Sequence, residues 1–129
     1  MKEKLITFET AELAKEKGFD ELIKTLYITD RGNTRLAKAN NSGRTNSNYI
    51  EREDYKVYSA PTQSLLQKWL REVHEIHINI NTFYFEDLEK YGYEVEDIIH
   101  KDGWVVMSNT AGTYEEALEK GLQEGLKLI

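Results

Sequence analysis

The chain has no cysteine and a single proline, Pro61, in 129 residues. Without thiols it has no cysteine nucleophile, no Cys-ligated zinc, no iron–sulfur cluster and no disulfide, a composition that suits a reducing cytoplasm. No apolar run approaches the ~18 residues that a membrane-spanning helix needs. The opening residues, Met1 to Glu9, meet acid at Glu3 and again at Glu9 before an apolar signal region can form. Secretion by signal peptide and membrane insertion are therefore disfavoured, and the expected location is the cytoplasm, with no membrane partner. Also missing are a Gly-x-Ser-x-Gly elbow, a Walker loop and a dinucleotide-binding glycine fingerprint.

What is present is enough for one core: 40% hydrophobic residues, with 2 Trp, 8 Tyr and 4 Phe. A chain of this size buries roughly two-thirds of its unfolded surface, so it folds without disulfides or metal. Residues 1–129 read as one domain.

Charge is unevenly spread. The net charge of −6 argues against general polyanion binding. Residues 31–48 nevertheless hold four cations, Arg31, Arg35, Lys38 and Arg44, and no acid, leaving 13 cations and 23 acids in the other 111 residues. This stretch is rich in Gly, Asn, Ser and Thr and lacks hydrophobic periodicity, so it reads as a long mobile basic loop. Its cations are candidate contacts for nucleic acid or a protein partner, with Tyr49 and Tyr55 just beyond it able to stack on single-stranded bases.

Before the loop, Phe8, Ala11 and Ala14 recur at helical spacing, Thr7 or Thr10 can cap them, and Gly18 stands where a left-handed residue ends a helix. Leu22, Ile23 and Leu26 suggest a second short helix after Asp20, although Tyr27, Ile28 and Thr29 also suit a strand. After the loop, Pro61 opens a helix over 61–74 whose apolar face is Leu65, Leu66, Trp69, Leu70 and Val73. The period then switches to two: Ile76, Ile78 and Ile80 alternate with His77, Asn79 and Asn81. Three strands follow from this alternation, at 76–85, 93–99 and 104–108, with a turn or single helical turn over 86–92 and a hairpin turn at His100 to Gly103. Thr113 with Glu116 forms a capping box for a last helix over 113–127.

The expected fold is thus a two-layer α+β domain. A three-stranded antiparallel meander is packed by two main helices, with a short N-terminal helical segment in front. Its inward set is Leu66, Trp69, Leu70, Val73, Ile76, Ile78, Ile80, Val95, Leu118 and Leu122. Beside the leucine stripe of the last helix runs a stripe of small residues, Ala117, Gly121 and Gly125. Each interior glycine costs about 1 kcal/mol against alanine, so something packs very close there, either the domain's own sheet or helix or, as an oligomer stripe, a second copy.

Chemistry is sparse. His74, Glu75 and His77 offer the one candidate metal pattern, but zinc needs His at i and i+4 on a continuous helix, and here the spacing is three and the period changes between them. His74 suits a helix C-terminus, His77 a solvent-facing strand position, and His100 with Asp102 a turn. The acidic pairs Glu94/Glu96, Glu86/Asp87 and Glu115/Glu116 are what a chain with 23 acids holds by chance on a solvated face. No catalytic residue, metal site or cofactor is assigned. Helix, three strands and helix over 61–129 is similar in order to a double-stranded-RNA-binding domain. Such a domain reads phosphates with a basic last-helix N-terminus, which here is Tyr114-Glu115-Glu116, in a segment with 6 cations and 13 acids.

The string from Ser59 to Glu72, Ser-Ala-Pro-Thr-Gln-Ser-Leu-Leu-Gln-Lys-Trp-Leu-Arg-Glu, and the string from Tyr114 to Leu122 resemble a group of small proteins encoded by phages, prophages and mobile elements of gut Bacteroidetes. The resemblance covers about a quarter of the chain. It implies a genomic setting and a compact α+β fold but no active site. The terminal strand and helix, the helix beginning Glu115-Glu116-Ala117, also look like the ending of HicB-type antitoxins, without their DNA-binding module. Together these features lead to a non-enzymatic protein-interaction module acting inside a bacterial cell, partnered by another protein. Weak nucleic-acid binding through 31–48 is the alternative, and a metal-dependent enzyme ranks third.

Overall fold

The computed structural model describes residues 3–39, 43–85, 88–97 and 104–129. They form a mixed α+β structure in two compact units, residues 5–62 and residues 63–129 with the first four. Each unit carries its own three-stranded antiparallel sheet.

The unit at 63–129 contains helix α2 (Gln63–His74), strands β4 (Ile76–Phe85), β5 (Leu88–Asp97) and β6 (Trp104–Ala111), and helix α3 (Tyr114–Lys127). The strands lie in the order β4-β5-β6, the expected meander, and the two helices pack against it and each other. Ile78 pairs with Val95 and Val95 with Val106 across the three strands. Leu66, Leu70, Ile76, Ile78, Val95, Leu118, Leu122 and Leu126 are buried. Thr113 caps α3: its Oγ1 accepts the Glu116 N–H at 3.1 Å, while Glu116 Oε2 accepts the Gly112 N–H at 3.2 Å. The return bond reaches one residue further back than in the standard capping box.

Three expectations for this unit change. Residues 88–92 continue β5 instead of turning, so β4 and β5 pair along their whole length. Val73, counted among the inward set, is 55% exposed because the last turn of α2 extends past the covered part of its apolar face. Ile80 is only half-buried near the outer part of β4. The Glu86/Asp87 pair and the His100 to Gly103 turn lie outside the described residues.

The unit at 5–62 contains helix α1 (Phe8–Glu16) and strands β1 (Thr25–Asp30), β2 (Asn33–Lys38) and β3 (Tyr55–Ser59), in the order β2-β1-β3. Thr7 caps α1 as its composition suggested, its Oγ1 accepting the Thr10 N–H. At the other end Phe19 N–H reaches Ala14 O at 2.9 Å and Gly18 N–H reaches Lys15 O at 3.2 Å. This is a Schellman closure, with Gly18 at φ 93° supplying the left-handed turn and Phe19 fully buried against the helix end.

Leu26 begins no second helix; it lies in β1. The supposed loop at 31–48 contains β2 at residues 33–38 and a 3₁₀ turn at Asn46–Asn48, while residues 40–42 lie outside the described residues. Two residues, Arg31 and Gly32, join β1 to β2 with φ of 52° and 85°, the doubly positive geometry that suits the twist of a tight hairpin. β2 lacked a readable period because nearly all its residues are exposed.

Candidate functional site

The two faces of the β2-β1-β3 sheet are finished differently. On one, Phe8 of α1 packs edge-on against Tyr27 and Tyr58, ring centroids 5.7 and 5.3 Å away, and the Tyr27 hydroxyl donates to Ile6 O at 2.6 Å. On the other, Leu26, Ile28 and Val57 make a small apolar cluster flanked by Ala37, Ala39, Tyr49 and Tyr55. Over this cluster lies a groove of about 460 Å³ whose rim includes Lys38, Arg44, Ile50 and Arg52. No Asp or Glu lines it among the described residues.

Local bonding sets the rim. Arg44 is held by reciprocal backbone bonds with Ile23, at 2.9 and 3.0 Å. The next turn is fixed by Asn46, 7% exposed, whose amide donates to Phe19 O at 2.7 Å and accepts the Ser59 N–H at 2.9 Å. Asp20 accepts from the Ser47 N–H and hydroxyl at 2.7 and 2.8 Å, and these bonds hold its carboxyl below the ordinary carboxylate value. Tyr49 shares a 2.8 Å hydrogen bond with Ser59 Oγ. Burial raises its phenol above the usual value, outweighing the Ser59 bond and the Arg44 charge, so the hydroxyl stays protonated. Arg52 and Tyr55 exchange backbone bonds at 2.9 and 3.1 Å, closing the bend that brings Arg52 back to the groove.

A second network clamps the far edge of the sheet. Lys15 Nζ lies 2.7 Å from both Glu51 Oε2 and Val57 O and sits 4.9 Å from the Tyr58 ring centroid. Glu51 also accepts the Val57 N–H at 2.9 Å. Burial pushes the Glu51 carboxyl up, but the Lys15 and Val57 hydrogen bonds and the Lys15 and Lys56 charges outweigh it, and the net shift is downward.

Of the four cations singled out in the sequence, Lys38 and Arg44 meet at the groove. Arg35 pairs with Ile28 in the β1–β2 register, which puts it on the same face. Arg31 stands at the hairpin tip, 3.9 Å from Asp54 and 83% exposed, an ion pair worth little. Arg52 and Ile50 were missed. Arg52 is flanked by Glu51, Glu53 and Asp54, so a count along the chain hides it, and only the fold separates it from those acids.

The small-residue stripe faces the chain's own sheet. A Cβ on Gly121 would lie 2.8 Å from Ile78 Cγ2, and one on Gly125 would lie 3.3 Å from Ile76 and Ile78 methyl carbons. Ala117, Gly121 and Gly125 are all buried, so the stripe leaves no face for a second copy. His74 packs edge-on against Trp69, ring centroids 4.7 Å apart, and His77 pairs with Glu96 in the β4–β5 ladder. Among the described residues no three His, Cys, Asp or Glu side chains are grouped to hold a metal. A cleft of about 280 Å³ near Gln63 and Tyr114 has Gln63 Nε2 already donating to Glu115 O and Glu119 Oε1, at 3.0 and 2.9 Å.

No protein-family model, curated protein or solved structure matches the chain. Among the described residues no helix is long and apolar enough to cross a membrane.

Proposed function

We propose that the chain is a non-enzymatic protein-interaction module whose groove takes an acidic, partly apolar segment of another protein. One observation carries the reading: an aliphatic floor, Leu26, Ile28 and Val57, is ringed by Lys38, Arg44 and Arg52 with no carboxylate among the lining residues. The ring is not a by-product of overall charge. Residues 5–62 hold nine cations and nine acids, against eight and fourteen in the remainder, so an acidic ligand finds its favourable field on this unit. Ile50, 81% exposed on the rim, supplies apolar contact surface. The resemblance to phage and mobile-element proteins supports a setting in the cytoplasm of a host bacterium, acting on a host protein.

Single-stranded nucleic acid is the second reading, favoured by Tyr49 and Tyr55 standing in the same groove as Lys38 and Arg44. Three rim cations would neutralise about three phosphates and give a log–log salt slope of roughly −2. The −6 chain opposes even that, and an aliphatic floor suits apolar side chains better than bases.

Selection of a displayed library of random segments of about ten residues against the full chain tests the proposal. Recovered binders should be enriched in Asp, Glu and large apolar residues. Replacing Arg44 or Arg52 with Gln should weaken them about three- to tenfold, or roughly 0.7–1.4 kcal/mol. Binders without acidic bias, or oligothymidylate binding in place of peptide, would overturn it.

A further inference from the structure

We infer that the acidic segment binds as a fourth strand on the free edge of β2, an inference that rests on the groove reading above. The two edges of this sheet differ. On β3 the outward backbone groups are capped by side chains: Val57 N–H by Glu51, Val57 O by Lys15, and Ser59 N–H by Asn46. Odd-numbered residues of β3 therefore point out, and Lys56 and Tyr58 point to their partners Thr29 and Tyr27 on β1. Alternation then turns Leu26, Ile28 and Asp30 of β1 toward Ala37, Arg35 and Asn33 of β2. The backbone N–H and C=O groups of Thr34, Leu36 and Lys38 consequently face outward, and among the described residues no backbone bond is made to them.

This is an open ladder of three donors and three acceptors, about 13 Å long at roughly 3.3 Å per residue, room for some five residues of an extended chain. Its chemistry selects the occupant. Side chains of an added strand would alternate between the groove face, beside Arg35 and Ala37 and near Lys38, and the opposite face, beside Leu36, which is 54% exposed. Acidic residues suit the first row, beside Arg35, and apolar residues the second, while the part of the segment beyond the paired stretch turns over the aliphatic floor of the groove. A second copy of the chain fits poorly, because β2 holds two cations and no acid, and pairing it with itself opposes like charges across the strands.

The test uses an acidic peptide recovered from the displayed library and single N-methyl groups placed along its backbone. Strand addition predicts that methylation at every second residue weakens binding at least tenfold, while the intervening positions change it less than twofold. On the protein side, Leu36→Pro removes an outward N–H without touching the β1 ladder. It should weaken the same peptide at least tenfold with an unchanged far-UV spectrum. If Leu36→Pro disturbs folding, the methyl scan decides alone. Tolerance of methylation at every position, with acidic preference retained, would overturn strand addition and leave the groove reading standing. Recovery of no acidic peptide would overturn both, and a concentration-dependent dimer abolished by Leu36→Pro would replace the acidic partner with a second copy.

Discussion

Replacing Gly121 with Ala sets two effects of known sign against each other. Helix propensity favours alanine by about 1 kcal/mol at an interior position. Packing opposes it: the new Cβ would lie 3.3 Å from Tyr93 Cβ and 2.8 Å from Ile78 Cγ2, the latter roughly 1 Å inside comfortable carbon–carbon contact. Ile78 is 4% exposed and its β-branched side chain has little rotamer freedom, so relief must come from moving the helix. Overpacking of this kind costs about 1–3 kcal/mol, and after the gain in propensity a net loss of up to about 2 kcal/mol is expected. At Gly125 the nearest atoms are methyls at 3.3–3.4 Å, which yield a few tenths of an ångström. There Gly125→Ala should fall within about 1 kcal/mol of wild type. Because Ile78 borders both sites, the double variant should be non-additive. Urea unfolding followed by tryptophan fluorescence reads this unit, since Trp69 and Trp104 are the chain's two tryptophans and both fall in residues 63–129. A Gly121→Ala protein more stable than wild type would refute the close approach of helix and sheet.

Trp69→Ala, at a site 7% exposed, should cost about 3–5 kcal/mol in the same assay, and an unchanged midpoint would remove Trp69 from the core. Glu75 joins α2 to β4 at φ 53°, so Glu75→Gly should stabilise by about 0.5–1 kcal/mol, read as a raised melting temperature. Glu51 has a folded-state pKa below its ordinary 4.5. Its contribution is complete above that value and is lost as pH falls through the depressed one. Acid titration of the 5–62 unit followed by amide NMR should therefore show reduced acid sensitivity in Glu51→Gln, and parallel curves for the two proteins would contradict the Lys15–Glu51–Val57 clamp.

How much of this was legible follows from where burial imposes a period. β4 shows itself because Ile76 and Ile78 are buried while His77 and Asn79 lie on the more open face, and α3 because Leu118, Leu122 and Leu126 repeat every turn over a capped start. The Gly121 and Gly125 pair announced a close approach, and only the structure shows that Ile78 makes it. β2 left no such trace. An edge strand with both faces largely open buries too little to impose alternation, so Asn33 to Lys38 reads as polar loop. β3 was missed differently, since Tyr-Lys-Val-Tyr-Ser puts tyrosine on both faces, Tyr58 toward Phe8 and Tyr55 toward the groove. The site was half visible: Lys38, Arg44, Tyr49 and Tyr55 stood out by type, whereas Arg52 became a member only through the bend that returns it to the sheet.

Binding on the open face and edge of the β2-β1-β3 sheet has a residue-level signature. Amide chemical-shift mapping of the labelled full chain during titration with a selected acidic peptide tests it most directly. Shifts are expected to concentrate at Thr34, Leu36, Lys38, Ala39, Arg44, Tyr49 and Arg52, with α3 silent. Shifts concentrated in residues 63–129, with β2 unmoved, would contradict it.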